Sequence, residues 1–164
     1  MQAIVAVDKN WGIGNGGKLL ARFPGDMKFF RDKTVGKSIV VGRKTLESFP
    51  DGKPLPDRNN IVLTGNEAYA VDGCTVCCGK ETLLRFLEAF PRDDIFVCGG
   101  ESVYRELLPE IDSVWVTKID HEYEADRHFP DLDADSDFEI TWKSETLRHK
   151  GIKYRFYRYE RKKD

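Results

Sequence analysis

Eight short apolar runs, rich in β-branched residues and bounded by turn residues, constrain the fold of this chain more than any other sequence feature. They cover residues 3–7, 38–42, 60–64, 75–78, 95–99, 114–119, 138–142 and 153–160. Helical patterns at 25–34, 43–49, 81–90 and 101–108 lie between them, so that the first five strands alternate with helices and the last three do not. This order predicts an α/β fold with a mostly parallel sheet and an antiparallel C-terminal hairpin.

The strands also differ in how their side chains alternate. The early runs are continuously apolar, which is typical of central parallel strands covered on both faces. Residues 153–160 instead alternate charged and aromatic side chains, as a half-exposed strand does. We therefore expect the edge of the sheet near the C-terminus.

Length and composition limit the class of protein. The 164 residues are enough for one sizeable core, and we expect a single domain, 1–164. The 26 basic and 28 acidic side chains are scattered along the chain and give a net charge of -2. No segment therefore carries the concentrated charge of one sign that favours binding to nucleic acid or a membrane. There is no signal-type segment and no run of 18 apolar residues. We expect a cytoplasmic protein that binds neither nucleic acid nor membranes.

The four cysteines show no spaced disulfide framework. Cys74, Cys77 and Cys78 lie in a β-rich run, where alternation sends Cys77 to the face opposite the other two. The three histidines lack the spacing of zinc ligands. We expect reduced, buried thiols and no metal.

The segment "GIGNGG" matches the dinucleotide fingerprint G-x-G-x-x-G at Gly12, Gly14 and Gly17. In a Rossmann turn the first glycine follows the strand directly and the third opens a helix. Here "DKNW" intervenes, and "KLLARF" follows without a capping signal. We interpret the glycines as a mobile loop with positive φ that crosses a ligand at the end of the first strand, and the Rossmann turn is the less favoured alternative.

Two strand ends have the features of phosphate sites. The strand at 38–42 ends in Gly42 and is followed by Arg43, Lys44 and Thr45 at a helix start. Unpaired N–H groups and the helix dipole attract anions there, and basic side chains at such a start are unfavourable without an anion. The strand at 95–99 leads into Gly99-Gly100, where the backbone can approach a ligand closely.

The segment "PGDMKFFRD" places Asp26 in the first turn of a helix that begins after Pro24. The acid can simply complement the helix dipole, or its carboxylate can point into a pocket. These residues alone leave both interpretations open.

Six segments in chain order resemble dihydrofolate reductase: "IVAVDKNWGIG", "FPGDMKFFRDKT", "VVGRKTLESF", "KPLPDRNNIVLT", "VCGGESVY" and "VTKIDHEYEADRHFP". The resemblance covers almost the whole chain. It implies an eight-stranded, mostly parallel sheet with an antiparallel C-terminal hairpin and four helices on both faces. It also implies reduction of 7,8-dihydrofolate to 5,6,7,8-tetrahydrofolate with NADPH in one-carbon and thymidylate metabolism, binding of antifolate inhibitors, and a monomer.

The resemblance also implies roles for substrate residues. Asp26 would be the lone carboxylate of the pocket, Thr117 would hydrogen-bond it from the sheet, and Arg58 would bind the α-carboxylate of the substrate. The apolar walls around the pterin and aminobenzoyl rings would be Met27, Phe30, Phe49 and Leu55. Backbone carbonyls and packing for the pterin would come from Ile4, Val5 and Cys98.

For the cofactor, the resemblance implies three groups of residues. The 2′-phosphate would lie near Arg43, Lys44 and Thr64. The pyrophosphate would lie in a cradle of Thr45, Gly99, Gly100, Glu101, Ser102 and Val103, with a cis peptide between the two glycines. The nicotinamide would be flanked by Ala6, Ile13 and Tyr104, and the cofactor set also includes Gly42, Leu63, Gly65 and Cys98.

The chain departs from the family pattern at two places. Most relatives carry a Pro-Trp pair where Leu20 and Ala21 stand, and many have a third glycine where Glu101 stands. A carboxylate that faces phosphate weakens binding, so we expect Glu101 to point away from the cradle.

Two other functions are alternatives to a dihydrofolate reductase. One is a catalytically idle pterin-binding or nucleotide-binding protein, which the retention of Asp26, Arg58 and Arg43 argues against. The other is a different NADP oxidoreductase on the same scaffold, such as a pyrimidine reductase of riboflavin synthesis, and "KPLPDRNN" with Arg58 favours folate instead.

Overall fold

The structure is a computed structural model that describes residues 1–163. Its helices are α1 (Pro24–Thr34), α2 (Arg43–Glu47), α3 (Lys80–Leu87) and α4 (Glu101–Leu107). Its strands are β1 (Gln2–Val7), β2 (Gly12–Asn15), β3 (Lys18–Leu19), β4 (Ser38–Gly42), β5 (Asn59–Thr64), β6 (Cys74–Cys78), β7 (Ile95–Gly99), β8 (Ser113–Ile119), β9 (Arg127–His128), β10 (Phe138–Lys143), β11 (Leu147–His149) and β12 (Ile152–Arg161).

The eight predicted strands form one sheet in the order β10-β12-β8-β1-β7-β4-β5-β6, and the short β11 pairs with β12. Strands β1, β4, β5, β6, β7 and β8 pair in parallel, whereas β12 is antiparallel to β8, β10 and β11. The predicted fold class, a mostly parallel sheet with an antiparallel C-terminal hairpin, is therefore confirmed. The edge predicted near the C-terminus is β10.

Helices cover both faces of the sheet, which explains why the central strands are continuously apolar. On one face Ala3, Val5 and Val7 of β1 pack in a cluster with Leu83 of α3 and Leu107 of α4. The opposite face holds the neighbours in the strand, because successive side chains of a strand alternate. There Ile4 packs beside Phe29 and Phe30 of α1, and Val41 packs beside Leu46 of α2.

Residues 12–17 differ from the predicted loop. They form a hairpin, in which β2 pairs with β3 and also with β9 in a separate three-stranded sheet. Positive φ occurs at Gly16 and Gly17, at 60° and 82°, so these two glycines make the turn as the prediction required. Gly12 is needed for space, because an added Cβ would lie 2.8 Å from Ala125 Cβ.

Helix α4 ends one residue before the predicted residue 108, and two other helices end two or three residues early. Helix α2 ends at Glu47 and not at residue 49, and α3 ends at Leu87 and not at residue 90. Each predicted end is followed by a proline, Pro50 or Pro91, which disfavours helical backbone in the residue before it. Within residues 1–163, no helix has the length and apolar character needed to cross a membrane.

Candidate active site

Asp26 lies in the first turn of α1, above the face of the sheet that β8 and β12 form. Its Oδ1 accepts a hydrogen bond of 2.6 Å from the hydroxyl of Thr117, which is buried in β8. Gly25 permits this close approach of α1, because the hydroxyl of Tyr154 occupies the position that a Cβ on residue 25 would take. The Tyr154 ring packs against Phe23 and Phe156, so the hydroxyl is held there.

The environment of Asp26 disfavours the charged form of its carboxyl group. Burial raises the pKa of the Asp26 carboxyl above its ordinary value, and the hydrogen bond from Thr117 opposes that shift. Among residues 1–163, no basic side chain forms an ion pair with Asp26. The carboxylate is thus a single, partly desolvated negative charge whose remaining oxygen is free to accept further donors.

The predicted apolar walls come together only in part. One cluster contains Ile4, Phe30, Phe49, Leu55 and Cys98, drawn from five separate segments of the chain. Burial raises the pKa of the Cys98 thiol far above neutrality, so that it packs as an apolar group.

Two predicted substrate residues lie outside this cluster. The side chain of Val5 packs in the cluster on the opposite face of the sheet, because it alternates with Ile4 along β1. Met27 is 51% exposed on α1. Val5 can therefore offer only its backbone to a ligand in the Asp26 pocket.

Arg58 lies between the end of α1 and the start of β5. Its Nε donates to the Thr34 hydroxyl at 3.2 Å and its Nη1 donates to the Pro56 carbonyl at 2.8 Å. Its guanidinium carbon lies 5.9 Å from the centre of the Phe30 ring. Burial and, second, the nearby Arg31 lower the pKa of Arg58 from a very high ordinary value, so the side chain stays charged at neutral pH.

The two predicted phosphate sites merge at one edge of the sheet. Strands β7, β4 and β5 are parallel neighbours, and the register places Val41 beside Gly99 and Gly42 beside Leu63. Their carboxyl ends therefore meet, which is where open α/β sheets bind nucleotides. Thr64 ends β5, and Gly65 follows it at the surface.

Gly42 makes room at this edge, because a Cβ there would lie only 3.1 Å from Val103. A Cβ on Gly99 or Gly100 would lie in ordinary contact with the hydroxyl of Thr45, at 3.6 or 3.4 Å. The Gly99-Gly100 peptide is cis, as the resemblance implies, and Gly99 has a φ of 126°. The result is a backbone cradle beside a hydroxyl donor, which suits a phosphate group.

Basic side chains border the cradle on α2. Arg43 pairs with Glu47 one turn later at 3.2 Å, and both side chains are more than 40% exposed. Lys44 is exposed, and within residues 1–163 it forms no ion pair. The positive charge at this helix start is thus accessible to an anionic ligand, and the residues fit a dinucleotide with a 2′-phosphate.

Helix α4 adds three different side chains next to the cradle. Ser102 is exposed. The buried hydroxyl of Tyr104 donates to the carbonyl of Ile4 at 2.7 Å, and burial raises the pKa of this phenol well above its ordinary value. The carboxylate of Glu101 accepts a hydrogen bond from the backbone N–H of His128 at 2.6 Å. The Glu101 side chain is therefore hydrogen-bonded to β9, in keeping with the expectation that it points away from the cradle.

The β2–β3 hairpin closes the side of the pocket next to Asp26. A cavity of about 40 Å³ lies between the hairpin and the sheet. Its lining includes the predicted residues Ala6, Ile13 and Asp26, together with Leu19, Leu20 and Ala21. The cavity brings two of the three predicted nicotinamide residues, Ala6 and Ile13, next to the carboxylate.

Asp8 is a site residue that sequence reasoning missed. Its side chain is almost fully buried, and its two oxygens accept backbone N–H bonds from Asn10, Gly12 and Tyr123 at 2.8–3.0 Å. These bonds fix the start of the hairpin to the end of β1. The available signal was an acid directly after an apolar strand, which is too common to be informative by itself.

The arrangement can bind a flat, partly apolar ligand with adjacent N–H donors beside a dinucleotide. Within the described residues 1–163, no cluster of three or more His, Cys, Asp or Glu side chains could hold a metal ion.

Comparisons with known proteins agree with this geometry. The family profile of dihydrofolate reductase matches residues 1–161. A dihydrofolate reductase from Bacillus subtilis is 38% identical over 160 residues, which cover 97% of this chain and 93% of that protein. A bifunctional dihydrofolate reductase-thymidylate synthase from Daucus carota is 38% identical over 177 residues, covering 98% of this chain and 33% of that protein.

A solved structure shares the fold. It is a dihydrofolate reductase from Enterococcus faecalis in complex with NADP(H) and RAB-propyl, with a TM-score of 0.88 and 33% identity over 99% of this chain and 96% of that one. The sequence profile, the curated relatives and the shared architecture all point the same way, and we conclude that this chain belongs to the dihydrofolate reductase family.

Proposed function

We propose that Asp26 and the glycine cradle form the two halves of one active site, in which the chain carries out the reaction of its family. That reaction is the NADPH-dependent reduction of 7,8-dihydrofolate to 5,6,7,8-tetrahydrofolate, which links the chain to one-carbon and thymidylate metabolism. The observation that carries the proposal is the buried Asp26 carboxylate, held by Thr117 without a basic partner among residues 1–163.

Asp26 binds the pterin through paired hydrogen bonds. A pterin presents two adjacent N–H donors, one on a ring nitrogen and one on the exocyclic amine, and a carboxylate can accept both. Charge-assisted bonds of this kind contribute about 1.5–3 kcal/mol each. Thr117 occupies Oδ1 from the sheet side, which fixes the orientation of the carboxylate and leaves its other lone pairs for the ligand.

Asp26 also favours protonation of the substrate. A hydride adds readily to the pterin only when the neighbouring ring nitrogen carries a proton. A negative charge in a partly desolvated pocket stabilises that cationic form more than water would. We propose that Asp26 supplies this field and that a water molecule delivers the proton to the ring nitrogen.

The rest of the substrate lies along the apolar cluster. Ile4, Phe30, Phe49, Leu55 and Cys98 exclude water from the aminobenzoyl ring, and Arg58 beyond Phe30 binds the α-carboxylate. The two bonds from Arg58 to Thr34 and Pro56 hold its guanidinium in place before substrate arrives, so that little side-chain entropy is lost on binding.

NADPH supplies the hydride when it is bound. Arg43, Lys44 and Thr64 would bind its 2′-phosphate, and Thr45 with residues 99–103 would cradle its pyrophosphate. Ala6, Ile13 and Tyr104 would flank its nicotinamide, with Gly42, Leu63, Gly65 and Cys98 contributing backbone and packing. The cavity that Ala6 and Ile13 share with Asp26 supports this placement, because it lets the hydride donor lie next to the pterin.

One spectrophotometric assay tests the proposal. Oxidation of NADPH should depend on added dihydrofolate and should fall sharply when NADH replaces NADPH. Binding of both ligands without turnover would identify a catalytically idle binding protein, and turnover only with a pyrimidine substrate of riboflavin synthesis would identify the related reductase.

We also propose that one chain is a complete catalytic unit and acts as a monomer. Asp26, Arg58 and the cradle all come from the same chain, and the sheet that carries them is continuous. The chain would then be a single catalytic domain, 1–164, that works in the cytoplasm. Sedimentation at assay concentration tests the monomer, and a dimer with shared active-site residues would contradict it.

A further inference from the structure

The carboxylate of Glu101, at the start of α4 beside the cradle, accepts a hydrogen bond from the outer edge of β9. Two backbone N–H groups, of Asp126 and Phe129, donate toward β2, to the carbonyls of Gly14 and Trp11. The N–H of His128 points the other way, and because β9 is an edge strand no further strand accepts it. Glu101 takes that place at 2.6 Å, which makes the bond short and charge-assisted.

Glu101 is tied to the cradle by its own backbone. It follows the cis Gly99-Gly100 peptide directly and is the first residue of α4. A group that orders the glycine backbone therefore also orders the start of the Glu101 side chain. A second contact runs parallel to the hydrogen bond, since the rings of Tyr104 and Phe129 meet edge to face at 4.8 Å between centres.

Strand β9 in turn carries the hairpin. His128 lies opposite Gly12, and Arg127 lies opposite Gly14. The other end of the hairpin reaches the cavity beside Asp26 through Leu20 and Ala21. A continuous set of contacts thus runs from the cradle through Glu101 and β9 to the hairpin beside Asp26.

The charge of Glu101 supports a specific role. A free carboxylate next to a pyrophosphate would weaken cofactor binding. Turned toward the amide of His128, the same charge strengthens the contact between α4 and β9. An acid at position 101 therefore stabilises the contact between α4 and β9 when its side chain points away from the cradle.

From these contacts, and on the basis of the proposed function, we infer that Glu101 is a positioning residue that couples binding of the dinucleotide in the cradle to closure of the β2–β3 hairpin over the substrate pocket. Cofactor and pterin should then each tighten binding of the other through this bond. Such coupling is reciprocal, so one ratio of affinities measures it from either side.

The test uses the full chain with NADP⁺ and folate, a pair that does not react. The coupling factor is the dissociation constant of folate alone divided by that in saturating NADP⁺. We expect it to be at least about 5 in the wild type and to fall toward 1 in Glu101→Ala. Glu101→Gln keeps an acceptor without the charge and should lie between them, and Glu106→Ala, an exposed acid on the same helix, should leave the factor unchanged.

A merely structural role would lower the melting temperature or both affinities without changing their ratio. An unchanged coupling factor in Glu101→Ala, or in Glu101→Gln if the alanine variant does not fold, overturns the inference. So does a wild-type factor of 1. A wild type that oxidises NADPH normally with dihydrofolate while the factor stays unchanged refutes only this inference, whereas a wild type without that activity refutes the proposed function and this inference together.

Discussion

The two halves of the proposed active site place their charged side chains in opposite environments, one buried and one exposed. Asp26 is partly buried, is fixed by Thr117 and has a raised pKa, so its charge is already oriented before any ligand binds. Arg43 is exposed and pairs with Glu47 on its own helix, so its charge would have to leave that partner to bind the phosphate that we propose for this site. The buried charge is suited to stabilising a reacting centre, and the exposed charge is suited to selecting a ligand.

The largest expected effect follows from removing the buried charge. Asp26→Asn should fold and should lose about 10²–10³-fold in turnover at pH 7, the range found when one preorganised electrostatic group is removed. Part of the activity should return in acid, where the substrate is already protonated. Steady-state kinetics from pH 5 to about pH 9, across the usual span of such profiles, measure this.

The matched control is Asp32→Asn, an exposed acid on the same helix that pairs with Lys28. It should keep near-normal turnover at every pH. Near-normal turnover of Asp26→Asn at pH 7 would refute the catalytic role of Asp26.

A smaller effect is expected from removing the exposed charge. Arg43→Ala should weaken NADPH binding about tenfold to a hundredfold, the cost of one charge-assisted bond, and should leave NADH binding unchanged because NADH lacks the 2′-phosphate. Fluorescence titrations with the two cofactors give the ratio. Arg85→Ala, exposed on α3, is the control, and an equal loss for both cofactors would place the 2′-phosphate elsewhere.

The raised pKa of Asp26 predicts how stability depends on pH. Between the ordinary value of 3.8 and the raised value, the folded chain binds more protons than the unfolded chain, so the free energy of unfolding falls as the pH rises through this window. Asp26→Asn has no such term. It should therefore be more stable than the wild type at pH 7, and the difference should vanish below the window.

Urea unfolding at several pH values, with Asp32→Asn alongside, measures that difference. Equal stabilities of Asp26→Asn and the wild type at pH 7 would mean that burying the Asp26 charge does not destabilise the folded chain. The buried and exposed halves of the site would then differ less than their geometry indicates.

The smallest effect concerns the partner that Arg43 gives up. Glu47→Gln should strengthen NADPH binding about twofold, since an exposed i,i+4 pair contributes only about 0.3–0.5 kcal/mol. The gain should shrink at high salt and should not occur with NADH. Asp32→Asn breaks a pair of the same spacing on α1 and should have no effect, and weaker NADPH binding by Glu47→Gln would show that Glu47 orients Arg43 for the ligand.

The sequence predicts the main sheet well because burial on both faces leaves long apolar runs. It does not predict the hairpin of residues 12–19, since a four-residue strand with two glycines and a two-residue strand carry no periodic pattern. To predict the helix ends at Glu47 and Leu87, the effect of a downstream proline must be weighed against the favourable helix propensity of the residues before it.

Within the site, what the sequence leaves open is what depends on distant contacts. Asp26 as a helix-start acid and Asp26 as a pocket carboxylate look alike until Thr117, 91 residues later, is placed beside it. The same holds for Glu101 and His128, which are 27 residues apart. The opposite placement of Val5 follows from strand alternation alone and could have been read from the sequence.

The contact between Gly25 and the Tyr154 hydroxyl bears on how the protein can evolve under inhibitor pressure. Any larger residue at position 25, next to Asp26, would collide with a phenol that packs against Phe23 and Phe156. Adaptive change at this place must therefore arrive as a pair, with position 154 changing first.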